Sequence, residues 1–522
     1  MERGMSLRFE NGVVRTMDEK GTVASAVAVQ NGRIAWVGET RDAPPAEKTV
    51  DLQGRCVLPG FTDSHGHLVS WAAGLARIDL RTFDTLEDAM EAVGKRVASA
   101  KPGEWVLGRG WVFRGWGLEG FPDRSMIDRV SGDVPVALSS MDGHVLWVNS
   151  AALRVAGIDA DTPDPDGGAF ERDREGRPTG ILKERAADAF KERIPQDPPD
   201  RLAEALEGAQ AILHGFGIVS VHAPERKKSL RALQRLRAAR KLKLRVRYFL
   251  AGEELPGAAS VGLEGGFGDD LLRIEGVKMF ADGAVLAETA HMLEPYGKAS
   301  SRGIPVTGRE DLEAVIREAA SFRLPVMVHA IGDAANRTVL DAIENAGGSL
   351  DRPYRIEHAQ HLHEDDLVRF QKLGITASVQ PIHLSLDLDQ IDRALGERGA
   401  NAYRFRTLLD AGVRLVFGSD MPVADPNPWF GVHAAVRRAR LDGTPEEGWY
   451  PAERIGVEEA IRAYTTAPAE ASGDGAERGS VEAGKRADLC VTDRDPFSIP
   501  AEDLRNVRVD LTVFDGEIVH RR

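Results

Sequence analysis

The sequence predicts an α/β protein built on a closed (β/α)8 barrel of the TIM type. Eight short apolar runs recur along the chain, with stretches of helical periodicity between them. Both ends of the chain instead carry short alternating runs separated by hairpin turns. One interval, between the first and second apolar runs, is far too long for an ordinary connection. These three observations predict a barrel, a small β-sandwich domain built from both termini, and a large insertion after the first barrel strand.

The barrel strands are predicted from the eight apolar runs, because eight parallel strands close a barrel of this type. The runs span residues 57–61, 218–222, 244–250, 274–280, 325–329, 355–359, 376–380 and 415–418. Helices are expected between them. Residues 310–322, for example, place Leu312 and Ile316 on one face behind a Thr307…Glu310 capping box, which predicts a helix that begins there.

The β domain is predicted from turns such as Asn31-Gly32 and Asp515-Gly516, since the strands of each terminus alone are too few to bury a face. Loops that follow barrel strands lie on the catalytic face, so we expect the insertion to cover the site as a lid or substrate wall. The predicted boundaries are 1–56 with 480–522 for the β domain, 57–67 with 200–479 for the barrel, and 68–199 for the insertion.

Charge and cysteine content exclude several function classes. The 522 residues include 67 Lys and Arg against 81 Asp and Glu, a net charge of −14, which argues against a nucleic-acid or anionic-membrane partner. Cys56 and Cys490 are the only cysteines, too few for a disulfide framework or a cysteine zinc site. No signal sequence or apolar run of about 18 residues is found. We therefore expect a cytoplasmic protein with a small-molecule substrate.

The strongest chemical signal is His65-Gly66-His67, directly after the first predicted strand. Side chains two apart on an extended chain point the same way, so the two imidazoles supply half of a divalent metal shell. Such a motif also occurs by chance among 13 histidines, and the prediction therefore depends on other ligand types. His329, His358 and Asp420 each end a predicted strand, and the carboxyl ends of barrel strands share one face.

Lys278 stands in the middle of the predicted strand 274–280, which is otherwise suited to burial. An isolated buried ammonium is unfavourable and tends to lose its proton. A neutral amine beside metals can react with carbon dioxide, and the two oxygens of the resulting carbamate would bridge two cations. The alternative is that Lys278 is simply paired with Asp282 or Asp420.

Five further side chains are candidates for contact with a substrate or for support of the ligands: Asp63, His144, Trp147, Asp282 and His222. Asp63 adjoins the histidine motif and is expected to hold an imidazole. His144 and Trp147 lie in the insertion, where they either face a substrate or form a polar contact and a core aromatic. His222 ends a strand and is expected to line the pocket.

Four of the eight tryptophans lie between residues 105 and 147 of the predicted insertion, although aromatic residues make up only 6% of the chain. If the insertion forms the pocket wall, these rings predict a substrate with an apolar or aromatic group. The four residues are Trp105, Trp111, Trp116 and Trp147.

The sequence resembles the metal-dependent amidohydrolase superfamily and, more narrowly, its YtcJ-like branch, the Amidohydro_3 type. The resemblance extends over effectively the whole chain. The stretches that carry it are residues 60–67, 143–150, 172–180, 278–283, 289–296, 357–358, 418–420 and 487–489.

The resemblance implies a metal centre, with Asp420 as the proton-shuttling base. It implies one or two divalent ions, with zinc as the default because imidazole and carboxylate are mixed, although iron or manganese would also bind. Paired barrels are common in the superfamily, so a homodimer is one expectation. The implied ligands are His65 and His67 on the more buried ion, an N-carboxylated Lys278 as the bridge, His329 and His358 on the second ion, and Asp420 on the first.

The predicted activity is hydrolysis of a non-peptide carbon–nitrogen bond of the amide type, such as an N-acyl or N-formyl bond, by hydroxide that the metal makes available at neutral pH. Two alternatives stay open. The same centre would serve an esterase, lactonase or deaminase, or the chain could be a non-catalytic scaffold that has lost its metals. Retention of all six ligand-type residues argues against the scaffold.

Overall fold

The computed structural model describes residues 6–75, 77–141, 145–195, 197–285, 288–297, 301–347 and 350–522. The chain divides into two compact units, residues 1–71 with 206–522 and residues 72–205. Among the described residues, no helix is both long and apolar enough to span a membrane.

An eight-stranded, all-parallel sheet forms the centre of the first unit and confirms the predicted barrel. Neighbouring strands follow chain order, and the first and last strands approach through a hydrogen bond of 3.0 Å from the Ser64 N–H to the Phe417 carbonyl and a bridge between Gly66 and Met421. The strands are Phe61–Asp63, Ile218–Glu225, Arg245–Ala251, Leu272–Phe280, Val326–Ala330, Arg355–His358, Thr376–Val379 and Leu415–Phe417.

The first barrel strand differs from the prediction. The apolar run at 57–61 is divided, because Cys56–Pro59 pairs antiparallel with Leu489–Thr492 in a terminal sheet and only Phe61–Asp63 enters the barrel. Gly60 separates the two strands, and a Cβ there would lie 2.5 Å from a methyl of Val219. Residues 57–59 of the run are apolar because they are buried in the β domain.

Two sheets from the chain termini share one apolar core, as in a β-sandwich. Phe9 and Val27 of one sheet and Leu489 and Leu511 of the other belong to the same buried cluster. One sheet contains Arg33–Gly38, Ala26–Gln30, Leu7–Glu10 and Lys48–Asp51, and the other contains Glu517–Arg521, Val509–Phe514, Leu489–Thr492, Cys56–Pro59, Val13–Arg15 and Val23–Ala24.

The second unit has its own six-stranded mixed sheet and its own apolar core. The role of this insertion as a lid stays a prediction. Its strands are Gly168–Arg172, Pro178–Glu184, Val145–Val148, Val136–Ser140, Val106–Trp111 and Ile78–Asp79.

The helices of the described residues are mostly amphipathic and follow strands. The helix predicted from 310 runs Arg309–Ser321, and Gly308 is its cap, because the Thr307 hydroxyl donates to the Phe280 carbonyl at 2.7 Å instead of capping. Helices span Leu68–Gly74, Leu86–Ala98, Arg124–Ser131, Ser150–Ala156, Arg185–Arg193, Pro199–Gly215, Lys227–Ala238, Leu255–Ser260, Arg309–Ser321, Asp333–Ala346, Glu364–Lys372, Pro381–Leu395, Phe405–Asp410, Pro428–Arg437, Val457–Tyr464 and Thr466–Ala471.

Candidate metal centre

His65 and His67 follow the end of the first barrel strand, and a contact at Nδ1 orients each ring. The Nδ1 of His65 lies 2.5 Å from Glu357 Oε2, and the Nδ1 of His67 lies 2.8 Å from the Pro224 carbonyl. Both partners are acceptors, so each Nδ1 carries the proton and each Nε2 keeps a free lone pair. The two Nε2 atoms lie 3.5 and 3.3 Å from Oδ1 of Asp420.

Lys278 lies beside the same atoms, with its Nζ 3.4 Å from Nε2 of His65. The lysine is 5% exposed, and burial lowers its pKa to about 8, so that a neutral amine is accessible near neutral pH. Burial would raise the pKa of the Asp420 carboxyl, but the neighbouring imidazoles of His65, His67 and His358 together hold that pKa well below its usual range.

His329 and His358 end the fifth and sixth barrel strands and face each other. Their ring centroids are 4.4 Å apart, and the His358 ring is 5.3 Å from that of His65. His358 Nδ1 contacts the side-chain oxygen of Gln380 at 2.7 Å, and His329 Nε2 donates to the Gly283 carbonyl at 3.0 Å. The structure therefore brings all six predicted side chains to one end of the barrel.

The donor atoms form two overlapping groups of three, in each of which all ligand atoms lie within 4.8 Å of one another. His65, His67 and Asp420 form the first group. His358, His383 and Asp420 form the second, in which His383 was not predicted. Imidazole with carboxylate is a donor set that suits a divalent cation such as zinc. The residues thus fit a metal, while each individual ligand assignment stays a prediction.

Two of these residues have an uncommon backbone conformation. His358 has a φ of 70° and Asp420 a φ of 57°, in the left-handed region that side chains other than glycine rarely adopt. Backbone strain of this kind costs roughly 1–3 kcal/mol and concentrates at functional sites. Here it turns both side chains at the end of their strands.

Glu357 and Arg355 were missed as functional residues by sequence reasoning. Both are buried, and Arg355 donates to Glu357 Oε1 at 3.0 Å and to the Ser64 carbonyl at 2.7 Å. Arg355 and His65 hold the pKa of the Glu357 carboxyl far below its usual range, although burial alone would raise it. A signal was present, because charged residues at 355 and 357 alternate in a run otherwise suited to burial.

Residues 48–520 match the amidohydrolase family profile. The chain belongs to the amidohydrolase family. This confirms the resemblance stated from the sequence, and it accords with a barrel whose strand ends gather histidines and a carboxylate. Membership of this family and the hydrolases among its relatives support the prediction that the chain is a hydrolase.

Relatives of this amidohydrolase align over nearly its whole length. LONG AFTER FAR-RED 3 of Arabidopsis thaliana is 34% identical, covering 93% of this chain and 86% of its own. YtcJ of Bacillus subtilis is 30% identical, and the alignment covers 99% of this chain and 100% of YtcJ. The N-substituted formamide deformylase of Arthrobacter pascens is 31% identical, and the alignment covers 100% of this chain and 99% of the deformylase. A crystal structure of an uncharacterized metal-dependent hydrolase from Pyrococcus furiosus is 31% identical, with a TM-score of 0.80 over 94% of this chain and 100% of that chain.

Asp63 supports the backbone of the amidohydrolase site, not an imidazole as predicted. Its carboxylate accepts from the N–H groups of His65 and Ser419, both at 3.1 Å, and from the Ser419 hydroxyl. Burial raises its pKa to about 6. His222 is 1% exposed and its Nδ1 accepts from Arg355 at 2.7 Å, and its place in the pocket lining stays a prediction.

The Asp282 carboxylate also accepts hydrogen bonds from backbone N–H groups. Among the described residues, no ion pair joins Asp282 to Lys278. It accepts from the N–H groups of Ile331 and Gly332 at 3.0 and 2.8 Å and from that of His291 at 2.8 Å. Burial raises its pKa to about 7. Asp282 thereby shapes the loop that follows His329.

In the insertion, Trp147 is a core aromatic and does not face a substrate. It is fully buried, packs edge-to-face on Trp111 at 6.0 Å and donates to the Asp123 carbonyl at 3.1 Å. Trp116 packs against the same core and Trp105 against a second apolar cluster, while the apolar or aromatic group of the substrate stays a prediction. His144 lies outside the described residues.

Proposed function

We propose that this amidohydrolase cleaves a non-peptide carbon–nitrogen bond of a small molecule, of the N-acyl or N-formyl amide type. The observation that carries the proposal is the placement of two imidazole Nε2 atoms 3.5 and 3.3 Å from one carboxylate oxygen of Asp420. The choice of an N-formyl or related amide bond is supported by the full-length relative named as an N-substituted formamide deformylase.

Zinc is the proposed cofactor, held by His65, His67 and Asp420, with Lys278 beside them as a candidate carbamate. When bound, such an ion makes hydroxide available near neutral pH and polarises a carbonyl. Lys278 would form the carbamate by attack of its neutral amine on carbon dioxide, with loss of one proton. Burial, which lowers its pKa to about 8, supports this step.

Asp420 is proposed to move the proton. Its carboxyl is ionised at neutral pH, since its pKa lies well below the usual range, and so it can accept a proton at a carboxylate oxygen from the attacking water. The same oxygen then returns the proton to the leaving nitrogen. Glu357 and the Pro224 carbonyl keep the rings of His65 and His67 in the orientation that this geometry needs.

The test measures hydrolysis of matched N-formyl, N-acyl, ester and lactone compounds by the zinc-loaded protein, before and after chelation. We expect the amide-type compounds to react, chelation to abolish the reaction and zinc to restore it. In Lys278→Ala, the rate of amide hydrolysis should fall, whereas in Lys372→Ala, at an exposed lysine paired with Glu344, the rate should be unchanged. Turnover of the ester or lactone alone would favour the esterase alternative, and a metal-free, inactive protein would favour the scaffold.

A further inference from the structure

We propose that His383 is a metal ligand and that His358, His383 and Asp420 form a second cation position that does not need a carbamate on Lys278. This inference rests on the proposed metal-dependent function. It differs from the ligand set that the family resemblance implies, in which His329 and a carboxylated Lys278 complete the second position.

His383 is a buried imidazole without a hydrogen-bond partner for its Nε2 among the described residues. It is 8% exposed, and its ring stacks on that of His358 with centroids 6.2 Å apart and an angle of 16°. A buried polar nitrogen that is left unpaired is unfavourable and calls for an explanation such as an ion. Its ligand atom lies within 4.8 Å of those of His358 and Asp420.

Gln380 connects the two histidines of this group. Its side-chain oxygen contacts Nδ1 of His358 at 2.7 Å, and its backbone carbonyl accepts from the N–H of His383 at 3.0 Å. The helix Pro381–Leu395 begins directly after the seventh barrel strand, which places His383 in its first turn. With Nδ1 of His358 engaged, Nε2 of that ring is the atom left for a cation.

His329 is less suited to this position. Its Nε2 donates to the Gly283 carbonyl at 3.0 Å, and it belongs to neither group of three ligand atoms found among the described residues. A second buried histidine, His361, also lacks partners for its ring nitrogens in the described chain, yet it too lies outside both groups. His361 is therefore a matched control, since it shares the burial of His383 and lacks its neighbours.

The experiment counts bound metal in the full chain by elemental analysis after zinc saturation, and records the absorption spectrum of the cobalt-substituted protein. His383→Gln should lose about one ion per chain and alter the cobalt spectrum, because a ligand is removed. His383→Cys, which offers a thiolate, should retain the zinc. His361→Gln should match the unaltered protein in both readouts, and thermal unfolding of the two glutamine variants checks that both fold.

Lys278→Met separates this inference from the carbamate bridge: the second ion should remain in Lys278→Met and disappear in His383→Gln. The inference is wrong if the unaltered chain binds a single ion, if His383→Gln keeps full metal content and an unchanged spectrum, or if Lys278→Met loses the second ion as well. A selective change in KM with unchanged metal would make His383 a substrate contact instead. Absence of hydrolysis by the zinc-saturated chain would contradict the proposed function, while the metal counts would still decide the role of His383.

Discussion

Glu357 determines which nitrogen His65 presents to a metal. It is completely buried, contacts His65 Nδ1 at 2.5 Å, and neutralises the buried guanidinium of Arg355. Glu357→Gln removes this charge, so His65 is held less firmly and Arg355 loses its counter-charge. We expect metal affinity to fall by about 10- to 100-fold, the usual effect of losing a residue that orients a ligand. Titration against a competing chelator measures it.

Glu344→Gln is the control for that substitution, because Glu344 is an exposed glutamate that pairs with Lys372 and Arg369 on the outer helices. It should leave metal affinity unchanged and alter stability by at most about 1 kcal/mol. Equal metal affinity in the two variants would mean that Glu357 does not orient His65.

At the scale of elements, barrel closure depends on Gly418, directly after the eighth strand. A Cβ at this position would lie 2.5 Å from the backbone nitrogen of His65 and 2.9 Å from Oδ1 of Asp63. Gly418→Ala therefore pushes the eighth strand from the first, and we expect a loss of about 1–3 kcal/mol of unfolding free energy together with weaker metal binding. Urea unfolding and metal titration on the same samples measure both.

Gly208→Ala provides the comparison, since Gly208 lies in the helix Pro199–Gly215 and a Cβ there meets nothing within 4 Å. Alanine favours a helix over glycine, so this variant should be stabilised by about 0.5–1 kcal/mol with unchanged metal binding. If Gly418→Ala behaves like Gly208→Ala, contact between the two strands at this point is unimportant.

The insertion contains a pH-dependent element around Glu104. Burial would raise its pKa, but the N–H of Lys101 and the guanidinium groups of Arg96 and Arg201 lower it from 4.5 to about 2. The unfolded state therefore binds the proton more readily, and the stabilisation is complete above pH 4.5 and is lost as pH falls toward about 2. Glu104→Gln should destabilise the insertion at pH 7, with the difference from the unaltered protein disappearing in strong acid.

Tryptophan fluorescence during urea unfolding at several pH values follows this difference, because four tryptophans lie in the insertion. The exposed Glu91, which pairs with Lys95 one helical turn away, supplies the control variant Glu91→Gln, with an expected change of at most about 0.5 kcal/mol. A pH-independent difference between Glu104→Gln and the unaltered protein would contradict the assignment.

At the scale of the whole molecule, the barrel could be predicted, as could the approach of six ligand-type side chains at one of its ends, because strands, parallel connections and ligand types leave local patterns. Partners do not. Nothing in the run 57–61 tells which sheet it joins, since both candidate sheets accept apolar residues, and Trp147 has the same residue type in a core as in a pocket wall. His383 follows the end of a predicted strand but was not chosen as a ligand, because it lies in the first turn of the next helix and not on the strand itself.

The terminal sandwich is joined to the barrel by a buried cation, Arg245 of the third strand. Its guanidinium donates to both oxygens of Asp488, at 2.7 and 3.0 Å, and Arg245 is fully buried. Arg245→Met leaves the Asp488 carboxylate buried without its partner, so the free energy of unfolding should fall by about 3–5 kcal/mol. Lys243→Met, two residues earlier, removes only an exposed pair with Glu517 and should lower it by at most about 1 kcal/mol. Urea unfolding of both variants measures the difference, and similar losses would show that the buried pair does not hold the sandwich to the barrel.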